Sequence, residues 1–220
     1  MTYIFSDDDF SEFITHPDKP IVLLEAIYNK LEPCGEEFTI NKDEMIEFFN
    51  SDGKPCFTFI TGGRFSIYRK HDDLLMHSSS SPSLFGVVEY FQPRNAHFIL
   101  ADTQCTGIKV SADLASKIFT KHELWDVVCK IQTYFIQVLQ TRDFQLVGVN
   151  AYLIIKNKLF ELLQEPEEVR LRQSVLLYIQ LRSKLSKSVV SKILAALREG
   201  DYICMNRGKL VSIKYLPKDY

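Results

Sequence analysis

Residues 184–213 read KLSKSVVSKILAALREGDYICMNRGKLVSI. Ser186 stands where a helix N-cap belongs, and Gly200 where the glycine just past a helix end belongs. Between them Val189 or Val190, with Ile193, Leu194 and Leu197, forms one apolar face. Lys187, Ser188, Ser191, Lys192 and Ala195 fall on the opposite face. A helix that shows only short polar and basic groups near its N-terminus can enter a major groove without burying an unpaired acid. Lys184 in the preceding turn and Arg198 at the far end are placed for phosphates. Two short strands follow, YICM and KLVSI, joined by Asn206-Arg207-Gly208. This hairpin has a basic tip, with Arg207 set to reach phosphates or the minor groove and Lys209 to hold the backbone. Helix, turn, helix and basic hairpin together predict a winged helix-turn-helix that binds duplex DNA.

Charge supports that reading. Residues 168–220 hold 11 Lys+Arg against 4 Asp+Glu, a net +7, whereas the first 167 hold 15 against 24, a net −9. The whole-chain value of −2 therefore conceals an acidic front and a basic tail, which implies two domains with different partners. A solvated basic face without a ligand would give the same arithmetic. The chain has 220 residues, 46% hydrophobic and 25% charged, the proportions of a globular protein with a real core. No stretch approaches the ~20 apolar residues of a membrane span. The opening MTYIFSDDDF is acidic where a signal peptide would be basic. Five scattered cysteines without a C-x-x-C pair speak against disulfides or structural zinc, so a cytoplasmic location is expected.

Upstream of residue 184, EEVRLRQSVLLYIQLRSK (167–184) reads as one helix and FQLVGVNAYLIIKNKLFELLQEP (144–166) as another that starts near Val147. The segment 121–143 runs more than five turns without Gly or Pro. Within it Leu124, Val128, Ile131, Phe135 and Val138 recur at spacings of four, three, four and three. That heptad row predicts a dimerisation helix. Packing on the chain's own β-domain is the alternative, served by the second apolar set Trp125, Val127, Tyr134, Ile136 and Leu139. Before residue 111, one early helix (20–31) precedes short aromatic and β-branched runs: EFTI, CFTFIT, RFSIYRK, LLMHS, HFILAD and TGIKV. Such strands imply a sandwich, jelly roll or barrel. The expected class is α+β, with a β-roll over 1–110, a linker and dimerisation helix over 111–145, and a winged helix-turn-helix over 146–220.

LSKSVVSKILAALREGDYI with its basic hairpin resembles the recognition helix and wing of the Crp/Fnr regulators. The likeness extends back through CFTFITGGRFSIYRKHDDLLMHSSSSPSLFGVVEYF, which resembles that family's cyclic-nucleotide-binding β-roll and the Phe-Gly of its effector turn. Within the family, the SKS-type helix and the late Leu-Pro before a terminal Tyr are similar to a small enterobacterial subgroup, the inhibitors of hydrogen peroxide resistance. The resemblance implies a homodimeric transcription regulator that reads an inverted repeat, with RNA polymerase as a further partner and a role in peroxide stress. It also implies an effector pocket, from which this sequence departs. Cyclic-nucleotide members carry Glu after the turn glycine and an Arg-Ser or Arg-Thr pair later; here Val87 follows Gly86, and the pair falls on Asn95-Ala96. Arg94 is one residue off, on the other face of a strand. Without the carboxylate and the guanidinium, cAMP binding is not expected. The oxygen-sensing branch of the family needs a cluster of N-terminal cysteines, and only Cys34 lies in that neighbourhood, so no iron–sulfur cluster is expected either. In the helix-turn-helix itself, Gln180 and Lys184 replace the usual small residue and turn glycine.

Other chemistry is weakly signalled. His71, Asp72, His77 and His97 fall on separate turns and strands, so no metal is expected. Without G-x-S-x-G, a phosphate loop or H-E-x-x-H, the chain does not read as an enzyme, and no cofactor is expected. The subgroup's name makes Cys129, near the helix row, and Cys204, at the wing, candidates for redox sensing; small core residues would look the same. A protein-interaction module that titrates a partner and no longer binds DNA specifically is the rival function.

Overall fold

The computed structural model describes residues 16–93 and 96–217. Their packing divides them into two compact units, His16–Leu139 and 140–217, with the boundary inside one long helix.

In the first unit, helix α1 (Ile21–Leu31) buries Leu24, Ile27 and Leu31, a three–four spacing that makes a single apolar stripe. Each such side chain contributes about 1.5–3 kcal/mol by leaving water. Eight strands follow: β1 (Glu36–Ile40), β2 (Met45–Ile46), β3 (Cys56–Gly62), β4 (Arg64–Arg69), β5 (Leu74–Ser80), β6 (Ser83–Phe85), β7 (His97–Ala101) and β8 (Cys105–Ser111). They form two antiparallel four-stranded sheets, ordered β1-β8-β3-β6 and β2-β7-β4-β5. Strand β3 is covered on both sides. Phe57 and Phe59 face α1 and the later helices, while Ile60 faces Ile46, Phe65, Ile99 and Ala101 between the sheets. Between β6 and β7 lies the one-turn helix α2 (Val87–Phe91). Helices α3 (Ala112–Lys121) and α4 (Trp125–Leu146) come after the last strand.

The second unit is a winged helix. Helices α5 (Ala151–Gln164), α6 (Glu167–Arg172), α7 (Val175–Ser183) and α8 (Lys187–Glu199) precede the hairpin β9 (Ile203–Asn206) and β10 (Lys209–Ile213). Ile155, Leu159, Val175, Ile179, Val190, Leu194 and Leu197 meet in its core. The buried Lys158 ammonium donates to Gln145 Oε1 at 2.8 Å and Glu161 Oε1 at 2.7 Å, which ties the end of α4 to α5. Burial lowers the Lys158 pKa, against the opposing pull of Glu161.

Several expected boundaries differ. The helix expected near Val147 starts at Ala151, where the Asn150 side chain accepts from the Leu153 amide. The single helix expected over 167–184 is broken at Gln173, and Ser174 caps α7 by accepting from the Leu177 amide. Gly200 is the C-cap itself, at φ −77°, and the left-handed position is Asp201 at φ 59°. None of the helices among the described residues is long and apolar enough to cross a membrane.

Candidate nucleic-acid interface and effector cavity

Helix α8 begins because Ser186, in extended conformation, accepts the Val189 amide at 3.3 Å. Val190, Leu194 and Leu197 are buried, which assigns the apolar face to Val190 rather than Val189. Lys187, Ser188, Ser191, Lys192, Ala195 and Arg198 are all exposed. No acid lies between Lys187 and Arg198. The amides of the first turn, aligned with the helix dipole, add positive potential at this end of the helix.

The turn before α8 is three residues long. Lys184 holds the left-handed position at φ 58°, with its amide donating to Gln180 O, and is exposed. Ser183 Oγ donates to Ile179 O at 2.7 Å and accepts from the Leu185 amide at 3.3 Å, which fixes the turn without a glycine. After α8, strands β9 and β10 are joined by Arg207 and Gly208, both at positive φ, as a two-residue hairpin turn with right-handed strand twist requires. The Val175 amide donates to Gly208 O at 2.9 Å, so the wing tip is fastened to the start of α7. Arg207 is exposed and Lys209 half-buried. All seven residues expected to touch DNA thus lie on α8, the turn before it or the hairpin.

The row expected to dimerise is placed differently. Val128 and Ile131 are buried in the core of the first unit, Leu124 and Phe135 pack against that core, and Val138 is buried as well. The row therefore packs on the chain's own β-domain, the alternative that the spacing left open. A spacing defines a stripe but does not say what covers it. The exposed apolar side chains of α4 are Ile136 at 55%, Leu139 at 46% and Phe144 at 49%.

At the effector turn, Gly86 has φ 94°, and a Cβ there would lie 2.1 Å from Cys56 O, so only glycine fits. Val87 is buried at the start of α2 and Ala96 is exposed; Asn95 and Arg94 lie outside the described residues. Gly86 and Val87 line a cavity of about 260 Å³ with Phe48, Ile67, Leu84, Phe85, Phe135 and Val138. Its polar contributors are His77, Glu89, His97 and Gln132. Burial holds the His97 imidazole below its ordinary value, against the pull of Glu89. No arginine or lysine lines this cavity among the described residues.

The remaining candidates are dispersed. Asp72 is engaged by the Arg69 guanidinium at 2.8 Å, and no group of three His, Cys, Asp or Glu side chains suited to a metal occurs among the described residues. Cys34, Cys129 and Cys204 are exposed thiols. Cys56 and Cys105 are buried, and burial raises both their pKa values.

A family model for winged helix-turn-helix DNA binding matches residues 151–218. The inhibitor of hydrogen peroxide resistance of Salmonella typhimurium (strain LT2) is 35% identical over 200 residues, which span 88% of this chain and 95% of that protein. The chain belongs to the inhibitor of hydrogen peroxide resistance family. The Escherichia coli (strain K12) member is 31% identical over 198 residues, with the same shares of 88% and 95%. Among solved structures, the c-di-GMP responsive global regulator CLP of Xanthomonas campestris superposes with a TM-score of 0.67 at 13% identity, covering 87% of this chain and 100% of that one. A CooA mutant from Carboxydothermus hydrogenoformans gives 0.65 at 14%, covering 92% and 94%. A putative crp/fnr-family regulator from Eubacterium rectale gives 0.64 at 11%, covering 86% and 90%. At these identities the likeness is one of fold. This chain thus carries the Crp/Fnr fold, a β-domain followed by a winged helix-turn-helix DNA-binding domain.

Proposed function

We propose that this family member is a homodimeric, sequence-specific transcription regulator that reads an inverted-repeat operator and acts in the response to peroxide. One observation carries the reading: α8 presents Lys187, Ser188, Ser191 and Lys192 outward, with no acid among them, on the helix that a helix-turn-helix inserts into the major groove. Lys187 and Lys192 are long enough to reach guanine O6/N7 or a phosphate, and the serines exchange hydrogen bonds with several bases. Lys184, Arg207 and Lys209 supply charge for the flanking phosphates. The exposed side chains Ile136 and Leu139 are suited to a second copy of α4, and two-fold pairing would place two recognition helices about 34 Å apart. The β-domain cavity lacks a phosphate-directed cation among its described lining residues, so we infer that the regulator does not respond to cAMP. The peroxide role rests on the function for which the relatives are named.

The test is selection of bound fragments from random duplex DNA by the purified protein at two salt concentrations. Enrichment of an inverted repeat is expected, with an affinity that falls steeply with salt. Weak retention at low salt alone, with no motif, would favour the rival reading of a module that titrates a protein partner.

A further inference from the structure

One branched apolar side chain stands exposed at the edge of the polar face of α8. Val189 is 37% exposed, in the first turn, between Ser188 and the fully buried Val190. It lies three residues before Lys192, and so neighbours that side chain on the helix surface. The core side of α8 is filled by Val190, Leu194 and Leu197 with Ile193 packed beside them; Val189 is not among the side chains that pack on that core, and the N-cap uses only its amide. A β-branched residue also costs helix stability relative to the alanines found at 195 and 196.

We propose that Val189 is a specificity-determining residue, whose methyl groups pack against the 5-methyl of a thymine next to the base pair reached by Lys192. This inference rests on the DNA-binding reading above. The chemistry is narrow. Residues in the N-terminal part of a recognition helix approach the base edges, and a valine there can neither donate nor accept a hydrogen bond. The thymine methyl is the one apolar group that base pairs display in the major groove, so it is the feature a valine can select. Burying one methyl on another side chain changes affinity about fourfold per half-site, hence about fifteenfold over a two-fold-symmetric operator.

The experiment uses the full chain and the operator obtained by selection. Each thymine is replaced in turn by deoxyuridine, which removes the 5-methyl and leaves the hydrogen-bonding edge intact. The wild type is expected to lose about fourfold at one thymine in each half-site. Val189→Ala is expected to bind thymine and uracil operators equally, with a melting temperature unchanged or slightly raised. A uracil scan with no sensitive position, or a sensitive position that Val189→Ala leaves equally sensitive, overturns the inference. If Lys192→Ala still weakens binding in that case, the DNA-binding reading survives it. Absence of any selected motif overturns both.

Discussion

Lys184 closes α7 at φ 58°, ψ 15°, a left-handed conformation that costs a residue with a Cβ roughly 1–2 kcal/mol. Glycine would remove that strain, at an entropic cost of about 0.5–1 kcal/mol in the unfolded chain. Lys184→Gly should therefore leave stability unchanged or raise it by up to about 1.5 kcal/mol in urea unfolding. The same substitution should weaken DNA binding and reduce the salt slope by about one per protomer if the ammonium meets a phosphate. Higher stability with unaltered affinity would make Lys184 a turn residue only. The lysine was legible in the sequence as a basic group beside the recognition helix and as the replacement for a turn glycine; the hydrogen bonds that let the turn accept it were not. The turn tolerates it because Ser183 supplies hydrogen bonds on both sides, to Ile179 O and from the Leu185 amide. Val189 is the complementary case. Its apolar character assigned it equally well to the core, and only the burial of Val190 turned it outward.

Among the elements, those defined by local signals were readable. The Ser186 cap, the aromatic and β-branched run of β3 and the Arg207-Gly208 turn each depend on neighbours a few residues away. Helix α4 does not, because its heptad row could serve either a partner or the chain's own sheet, and tertiary packing chose the sheet. The break at Gln173 was hidden for a related reason. The polar Gln173-Ser174 pair is compatible with a helix interior, and the distant contact at the cap, the Val175 amide donating to Gly208 O in the wing, leaves no local signal. The two faces of α4 have separable consequences. Ile131→Ala removes a fully buried side chain and should cost about 2–5 kcal/mol in urea unfolding. The double substitution Ile136→Glu, Leu139→Glu lies on exposed positions, so it should preserve stability to within about 1 kcal/mol while shifting sedimentation from dimer to monomer. A dimer that survives the glutamates but is lost in Ile131→Ala, at unchanged stability, would return the interface to the inner row.

For the whole molecule, the proposed function would have the basic winged helix hold DNA and the exposed face of α4 pair with a second copy. A single winged helix with few lysines gives limited affinity, so specificity depends on engaging two half-sites at once. Two recognition helices related by a two-fold axis must meet the same side of the duplex, which fixes the spacing of the half-sites near one helical turn. Inserting five base pairs at the centre of the selected operator rotates one half-site by half a turn and carries it to the far side. The full chain should then bind about as a single half-site does, at least about 100-fold more weakly, since each base pair no longer read costs about 1–3 kcal/mol. Glutamates at Ile136 and Leu139 should produce the same loss on the unaltered operator and no further loss on the expanded one, because both changes remove the same second contact. Fluorescence anisotropy with the two operators and the two proteins completes that cycle. Equal affinity for both operators would mean that each winged helix binds alone, and that the exposed face of α4 serves a partner other than a second copy of this chain.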